Sequence, residues 1–261
     1  MIPMVFHFAF FRGATNFKWM DSATLCLKSC LVRACPERIV IHYDRPGEGV
    51  DWDEARALPK VEWKLITPPT TINGIQIKKQ SIWKDLIQLQ VLHEEGGWFC
   101  DLDMVFLKSF EPLRHNPAVI GTQCAQKKKL NAGLVGSVPG GRYITAWTES
   151  FKDFTPKDEE LHWNFANNIP WTLWKKDPDS VCVLKRAAFY PLGWTNQTFW
   201  CGKELVLTNS FALHWWGSLH PNTTVEDLLE TGLKDEIQKI LDPSLGATVT
   251  SYATPIDVTF D

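Results

Sequence analysis

The stretch Gly96-Gly97-Trp98-Phe99-Cys100-Asp101-Leu102-Asp103 sets an apolar strand directly after a glycine pair and directly before two carboxylates. Asp101 and Asp103 are spaced i, i+2, so they point to the same side of an extended chain. Two like charges so placed repel, and a cation beside them relieves the repulsion. Carboxylate oxygens suit Mg²⁺ or Mn²⁺, ions that keep open positions for substrate phosphates. A bare Asp-x-Asp also occurs in many solvated turns. Here the pair is embedded between Trp-Phe-Cys and Met-Val-Phe-Leu, where an unpaired carboxylate is costly.

Working outward, Gln76–Glu95 reads as a long helix stopped by the glycine pair. Ser81, Lys84, Asp85 and Gln88 share one of its faces, while Ile82, Leu86 and Leu89 occupy another. Spacing alone leaves that polar face open between solvent and a cleft. Upstream, Ile2–Phe11 reads as a buried strand and Met20–Ala34 as a helix with Asp21 at its N-cap. Glu37–Asp44 and Val61–Thr67 read as strands. Strands alternating with helices predict an α/β fold with a mostly parallel sheet, whose ligands sit beyond the carboxyl ends of the strands. Downstream, Ala118–Thr122, Ala132–Ser137, Val181–Tyr190 and Ser210–His214 read as further strands. Arg142–Phe151, parts of Asp158–Lys176, and Val225–Leu241 read as helices.

The 261 residues suffice for a large core, and 44% hydrophobic with 22% charged residues excludes wholesale disorder. A net charge of −3 is not that of a chain that neutralises nucleic-acid phosphates. The 7 cysteines form no Cys-x-x-Cys pair, which excludes a zinc ribbon and points to free thiols in a reducing compartment. The apolar N-terminus lacks the basic flank and cleavage site of a signal peptide, and no stretch approaches a membrane span of ~20 apolar residues. The expected location is therefore cytoplasmic, with a bacterial or viral source or an excised domain as the alternatives, and the sequons at Asn196 and Asn222 are read as accidental. The abnormal residue is Trp: 13 against 15 Phe and 4 Tyr. A core rarely needs so many indoles, so a mixture is expected, some in the core and some lining a surface; Trp163–Trp174, with Trp194, Trp200, Trp215 and Trp216, are the candidates for the surface.

The chain resembles the retaining GT-A glycosyltransferases, in particular family 32 with its initiating mannosyltransferases, the related glucosylating toxins, and family 8. Ile2–Gly13 resembles the family's opening IPKIIHxIWFGG. Asp85–Gln88 with Gly96–Asp103 resembles DxxR…GGxYxDxD, Leu130–Leu134 resembles FNAGV, and His214-Trp-Trp-Gly217-Ser218 resembles HxxG. The resemblance implies a GT-A, Rossmann-like mixed sheet in a single catalytic domain over 1–261. Residues 1–110 would form the nucleotide-sugar half and 111–261 the acceptor half. It implies Asp101, Asp103 and His214 as ligands of Mn²⁺ or Mg²⁺, with Asp101, Asp103 and Asn131 as catalytic residues. Phe8, Phe10, Lys84, Asp85, Gln88, Trp215, Trp216, Gly217 and Ser218 would bind substrate, Phe10 standing where the family often stacks a Trp on the base. The family's Arg is Gln88 here, which removes a cation expected at the sugar or diphosphate. Lys127-Lys128-Lys129 is a candidate replacement.

The implied reaction moves a sugar, with retention, from a nucleotide-sugar donor to a glycan or other hydroxyl acceptor, with UDP-sugars preferred over GDP-mannose as donors. Retaining members of this fold are described as front-face catalysts, in which the leaving phosphate helps deprotonate the acceptor. Two rival readings exist. Trp98–Val105 also fits the hhhDxDxV motif of haloacid-dehalogenase-like phosphatases, with Asp177 and Asp179 as the later acidic pair. The other is a nucleotide-sugar- or glycan-binding module without turnover.

Overall fold

The computed structural model describes residues 1–13, 18–160, 163–193, 205, 207–220 and 222–242. Strand β1 (Val5–Phe10) leads through helix α1 (Asp21–Ser29) to β2 (Arg38–Tyr43), and α2 (Val50–Ala57) leads to β3 (Val61–Leu65). A short hairpin, β4 (Thr71–Ile72) and β5 (Ile75–Gln76), precedes α3 (Gln80–Glu94). Then come β6 (Gly97–Cys100), β7 (Met104–Phe106), β8 (Ala118–Cys124) and β9 (Lys129–Ser137). Helices α4 (Arg142–Ser150), α5 (Pro156–Glu160) and α6 (Ile169–Lys176) are followed by β10 (Cys182–Leu184) and β11 (Ala212–His214). Last are α7 (Val225–Leu229) and α8 (Lys234–Leu241).

Seven strands form one sheet in the order β10-β8-β9-β6-β1-β2-β3. β1 pairs parallel with β2 and β6, β2 with β3, and β8 with β10, whereas β9 runs antiparallel to both β6 and β8. The expected mixed, mostly parallel α/β sheet is what forms. Chain order reverses between β1 and β6, which places a switch-point crevice at their carboxyl ends.

The two-residue period of β1 sorts its side chains between two cores. Phe6, Phe8 and Phe10 face a cluster that includes α1, α2 and Trp98. Ala9 faces a second cluster built from α3, α4 and β9. Because both faces are covered, the strand reads as an unbroken apolar run. A third cluster joins Leu25, Val105, Leu213 and Trp215 to Leu228 and Ile237, and so packs the β7–β11 ribbon and α7–α8 on α1.

The glycine pair is a structural necessity. Gly96 and Gly97 have φ of 69° and 97°, and a Cβ on Gly97 would lie 2.5 Å from the Val5 carbonyl.

Several expectations are corrected. Asp21 is not the N-cap: Met20 holds that place, and the Asp21 carboxylate accepts from the backbone N–H of Ser22 and of Val225. α3 begins at Gln80, because Asn73-Gly74, both at positive φ, turn the preceding residues into the β4–β5 hairpin. Val181–Tyr190 is a strand only over Cys182–Leu184. A turn at Arg186–Ala188 then swings Phe189 and Tyr190 into the core. Val225–Leu241 is two helices, because the Thr231 hydroxyl bonds the Leu228 carbonyl and the Leu233 N–H at the break, next to Gly232.

The Trp surplus goes chiefly to the core. Trp19, Trp52, Trp98, Trp147 and Trp215 are buried. Trp19, Trp52 and Trp63 pack edge-to-face with one another beneath Phe10 and Tyr43. Trp163 is 39% exposed, the exception among the described indoles, with Lys129 over its ring. Trp194 and Trp200 lie outside the described residues.

Candidate active site

Asp101 leaves the end of β6 and Asp103 enters β7, one residue apart, while His214 ends β11, which is antiparallel to β7. The pairing His214↔Met104 brings residues more than a hundred positions apart into one site. His214 Nε2 lies 2.7 Å from Asp103 Oδ1 and 3.9 Å from Asp101 Oδ2. The three donor atoms lie within 4.8 Å of one another. Donors about 2.2 Å from a shared divalent ion would lie roughly 3–4.4 Å apart, so this set fits one ion with little adjustment. Two carboxylates and one imidazole suit Mn²⁺ or Mg²⁺ in hardness, and the nitrogen tilts the set toward Mn²⁺.

Backbone groups hold these ligands. The Gly217 N–H donates to Asp103 Oδ2 at 2.7 Å, and the Trp215 N–H donates to the Asp103 carbonyl. The Asp101 N–H donates to the Gly133 carbonyl, which ties β6 to β9 at the site. Burial alone would raise the Asp103 carboxyl, but the His214 charge and hydrogen bond and the Gly217 N–H outweigh it and hold the group below its ordinary range. Burial likewise presses the His214 imidazole down, and the Asp103 charge and hydrogen bond lift it above its ordinary value.

Lys84 comes from α3. Its Nζ lies 3.0 Å from Asp101 Oδ1 and 3.2 Å from Asp85 Oδ1. Burial would lower this ammonium, and the Asp101 and Asp85 charges more than restore it. Asp85 is 4% exposed, and burial raises its carboxyl against the pull of Lys84. The open question of the α3 polar face is thereby answered. Ser81 and Lys84 face a cleft of about 200 Å³ that they line with Ala9, Phe10, Phe11 and Gln80. The cleft lies beside the carboxyl end of β1, at the switch point. Its rim is pinned by the Asp44 carboxylate, which accepts from the Arg12 and Gly13 N–H groups, and by the Gln80 amide, which donates to the Arg12 carbonyl.

Other expected site residues fall into two groups. Near the triad, the Trp216 ring packs tilted against that of His214 with centroids 4.3 Å apart, and the Gly217 N–H bonds Asp103. Ser218 is exposed in the turn that follows. Asn131 is buried, and its amide oxygen accepts from the Gly133 N–H. Phe8, Gln88 and Trp215 pack into the interior. Phe8 is wholly buried against Phe106. The Gln88 amide donates to the Ala132 carbonyl at 2.9 Å, so in place of a donor-binding cation this position holds a strand brace. Trp215 sits in the third core cluster. Phe10 floors the cleft but is 1% exposed and packs on Trp19 and Trp52, which leaves no free ring face for a base. For the phosphatase reading, Asp177 pairs with Arg142 and belongs to no acidic cluster with Asp101 among the described residues.

Tyr190 and Gly133 escaped the sequence reading. The Tyr190 hydroxyl donates to the Asn131 carbonyl, and its ring lies 5.9 Å from that of His214. A Cβ on Gly133 would lie 2.8 Å from both Asp101 Oδ2 and Asn131 Oδ1. The Asn-x-Gly spacing was the available signal for Gly133. For Tyr190 there was none.

No protein-family model matches the chain. It is 25% identical over 228 residues to Glucan organizing enzyme 1 of Cryptococcus neoformans var. grubii, an overlap of 80% of this chain and 59% of that protein. The chain thus spans less than two thirds of that relative's length. Among solved structures, the WbbM bifunctional glycosyltransferase superposes on 92% of this chain and 52% of its own, with a TM-score of 0.51 and 12% identity. The PaToxG glycosyltransferase superposes on 68% of this chain and 70% of its own, with a TM-score of 0.49 and 15% identity. Among the described residues, no helix is long and apolar enough to cross a membrane. A mostly parallel sheet with an acidic pair after a central strand, superposing over nine tenths of the chain on WbbM, gives this protein the GT-A glycosyltransferase fold.

Proposed function

We propose that the chain is a divalent-metal-dependent, retaining hexosyltransferase. It would move a sugar from a nucleotide-sugar donor, a UDP-sugar in preference to GDP-mannose, to a hydroxyl of a glycan acceptor. The observation that carries this reading is the convergence of Asp101, Asp103 and His214 from two distant strands beside the switch-point cleft. A divalent ion held there supplies Lewis-acid stabilisation of the leaving nucleoside diphosphate.

The chain's own groups do the rest. Asp103 offers Oδ1, with its other oxygen fixed by the Gly217 N–H. Asp101 offers Oδ2, with its other oxygen fixed by Lys84. His214 offers Nε2, and its ring orientation is set by Trp216 and Tyr190 packed around it. In this reading the cleft beside Lys84 takes the donor. In this reading retention follows the front-face route, with the acceptor proton passing to the departing diphosphate.

The test is to incubate the protein with UDP-glucose, UDP-galactose, UDP-GlcNAc and GDP-mannose, with and without Mn²⁺, and measure released nucleoside diphosphate. Metal-dependent release that Asp103→Ala abolishes supports the transferase. Turnover of a generic phosphate ester without nucleotide-sugar turnover overturns it in favour of the phosphatase. Tight donor binding without turnover across an acceptor screen overturns it in favour of a binding module.

A further inference from the structure

We propose that Lys84 is an internal counter-cation that keeps the site's affinity for a free divalent ion low, so that the ion binds tightly only together with an anionic diphosphate. This rests on the metal reading of the Asp101–Asp103–His214 cluster and goes beyond it.

Lys84 is fixed rather than free-swinging. Two of its three ammonium hydrogens are taken, by Asp101 Oδ1 at 3.0 Å and Asp85 Oδ1 at 3.2 Å, and its side chain is 18% exposed. The carboxylate it grips at one oxygen is the one that presents the other oxygen to the triad, 3.9 Å from His214 Nε2. The ammonium therefore sits one carboxylate away from the ion's place, too close for solvent to screen fully. It cancels one of the three negative charges that Asp85, Asp101 and Asp103 bring.

Affinity for a hard cation rises with the number of uncompensated anionic ligands. A free ion is thus met by two carboxylates, one of which is already paired with a fixed positive charge. A nucleoside diphosphate reverses the balance, since it brings anionic oxygens to the cleft that Lys84 lines. Lys84 lines that cleft, so its charge lies beside the place those oxygens would take. By linkage, the diphosphate must then tighten the ion and the ion must tighten the diphosphate by the same factor.

The experiment titrates Mn²⁺ alone, and Mn²⁺ in the presence of uridine diphosphate, followed by the paramagnetic resonance of free Mn²⁺. It compares the wild-type chain with Lys84→Met, Lys84→Gln and Lys84→Arg, each checked for folding by circular dichroism. Both neutral variants are expected to bind free Mn²⁺ about tenfold tighter or more, with less added tightening by uridine diphosphate, and Lys84→Arg to behave like wild type. Neutral variants that bind free Mn²⁺ no tighter than wild type overturn the proposal. So does a Lys84→Arg that tightens as they do, since shape and not charge would then be at work. Should the neutral variants not fold, the wild type decides: it must bind Mn²⁺ at least about tenfold tighter with uridine diphosphate than without. Equal binding in both conditions overturns the role of Lys84 alone. No Mn²⁺ binding in either condition overturns the metal reading itself.

Discussion

His7 and His214 are both buried, and the fold drives them in opposite directions. His7 faces His42 across β1 and β2, with its Nδ1 3.2 Å from His42 Nε2 and both rings stacked on Phe99. Burial pushes His7 down to about 4, helped by Arg38 and Lys64, and His42 down to about 3, helped by His7 and Lys64. His214 suffers the same burial but has Asp103 at 2.7 Å, and it is lifted. The difference teaches that burial alone keeps a histidine neutral, whereas a carboxylate partner raises its hold on a proton. The sequence shows seven histidines without distinguishing these two kinds.

The sharpest way to break this contrast is Asp103→Asn. The amide keeps an acceptor for the Gly217 N–H but removes the charge that lifts His214. In the metal-free chain, the His214 ring followed by NMR is expected to titrate at lower pH than in the wild type, since the largest charge that raises it is gone. Donor turnover with Mn²⁺ is expected to fall by about a thousandfold, because loss of one anionic ligand removes several kcal/mol of transition-state stabilisation. An unchanged His214 titration would mean that Asp103 does not set its charge.

The next effect concerns the other pair. Folded His7 and His42 bind protons only well below 6.5, whereas the unfolded chain binds them near 6.5. Between those limits the unfolded state holds more protons, so stability rises with pH. The contribution is fully present above pH 6.5 and is lost as pH falls toward 4 for His7 and toward 3 for His42. At ~1.4 kcal/mol per pH unit, His7 alone removes about 3 kcal/mol by pH 4. Urea unfolding followed from pH 7 to pH 4 checks this, and His7→Gln/His42→Gln should flatten the slope. A slope equal in the double variant and wild type would assign acid sensitivity elsewhere.

What could be read from the sequence follows the same division. β1, β2, β6 and α3 were legible because local pattern decides them: unbroken apolar runs, a long helical period, and a glycine pair that positive φ demands. Asp101 and Asp103 were legible because their spacing is local. His214 entered only through motif order, since its place depends on the β7–β11 pairing across a hundred residues. Phe8, Gln88 and Trp215 show the same limit in reverse, since the motif did not reveal that they pack into the interior. A motif gives the neighbourhood of a site, but only packing decides which side chain of a strand or helix meets the ligand and which braces the core. Tyr190 carried no signal, because the turn that delivers it interrupts what reads as one strand.

The smallest effect tests whether the triad's geometry, as distinct from its charges, separates His214 from His7. Gly133 on β9 is backed against Asp101. A methyl group there meets Asp101 Oδ2 and Asn131 Oδ1 at 2.8 Å, closer than real Cβ atoms sit. Gly133 is not among the glycines at positive φ, so alanine adds no backbone strain and only the contact must give. Asp101 can yield by rotating about its Lys84 contact, which turns Oδ2 away from His214 and leaves Asp103–His214 intact. Gly133→Ala should therefore lower kcat/KM by about tenfold through misplacement of one ligand, with the His214 titration almost unmoved. If His214 shifts as far as in Asp103→Asn, then Asp101 shares equally in setting its charge, and the contrast between the two histidine sites rests on the whole acidic pair.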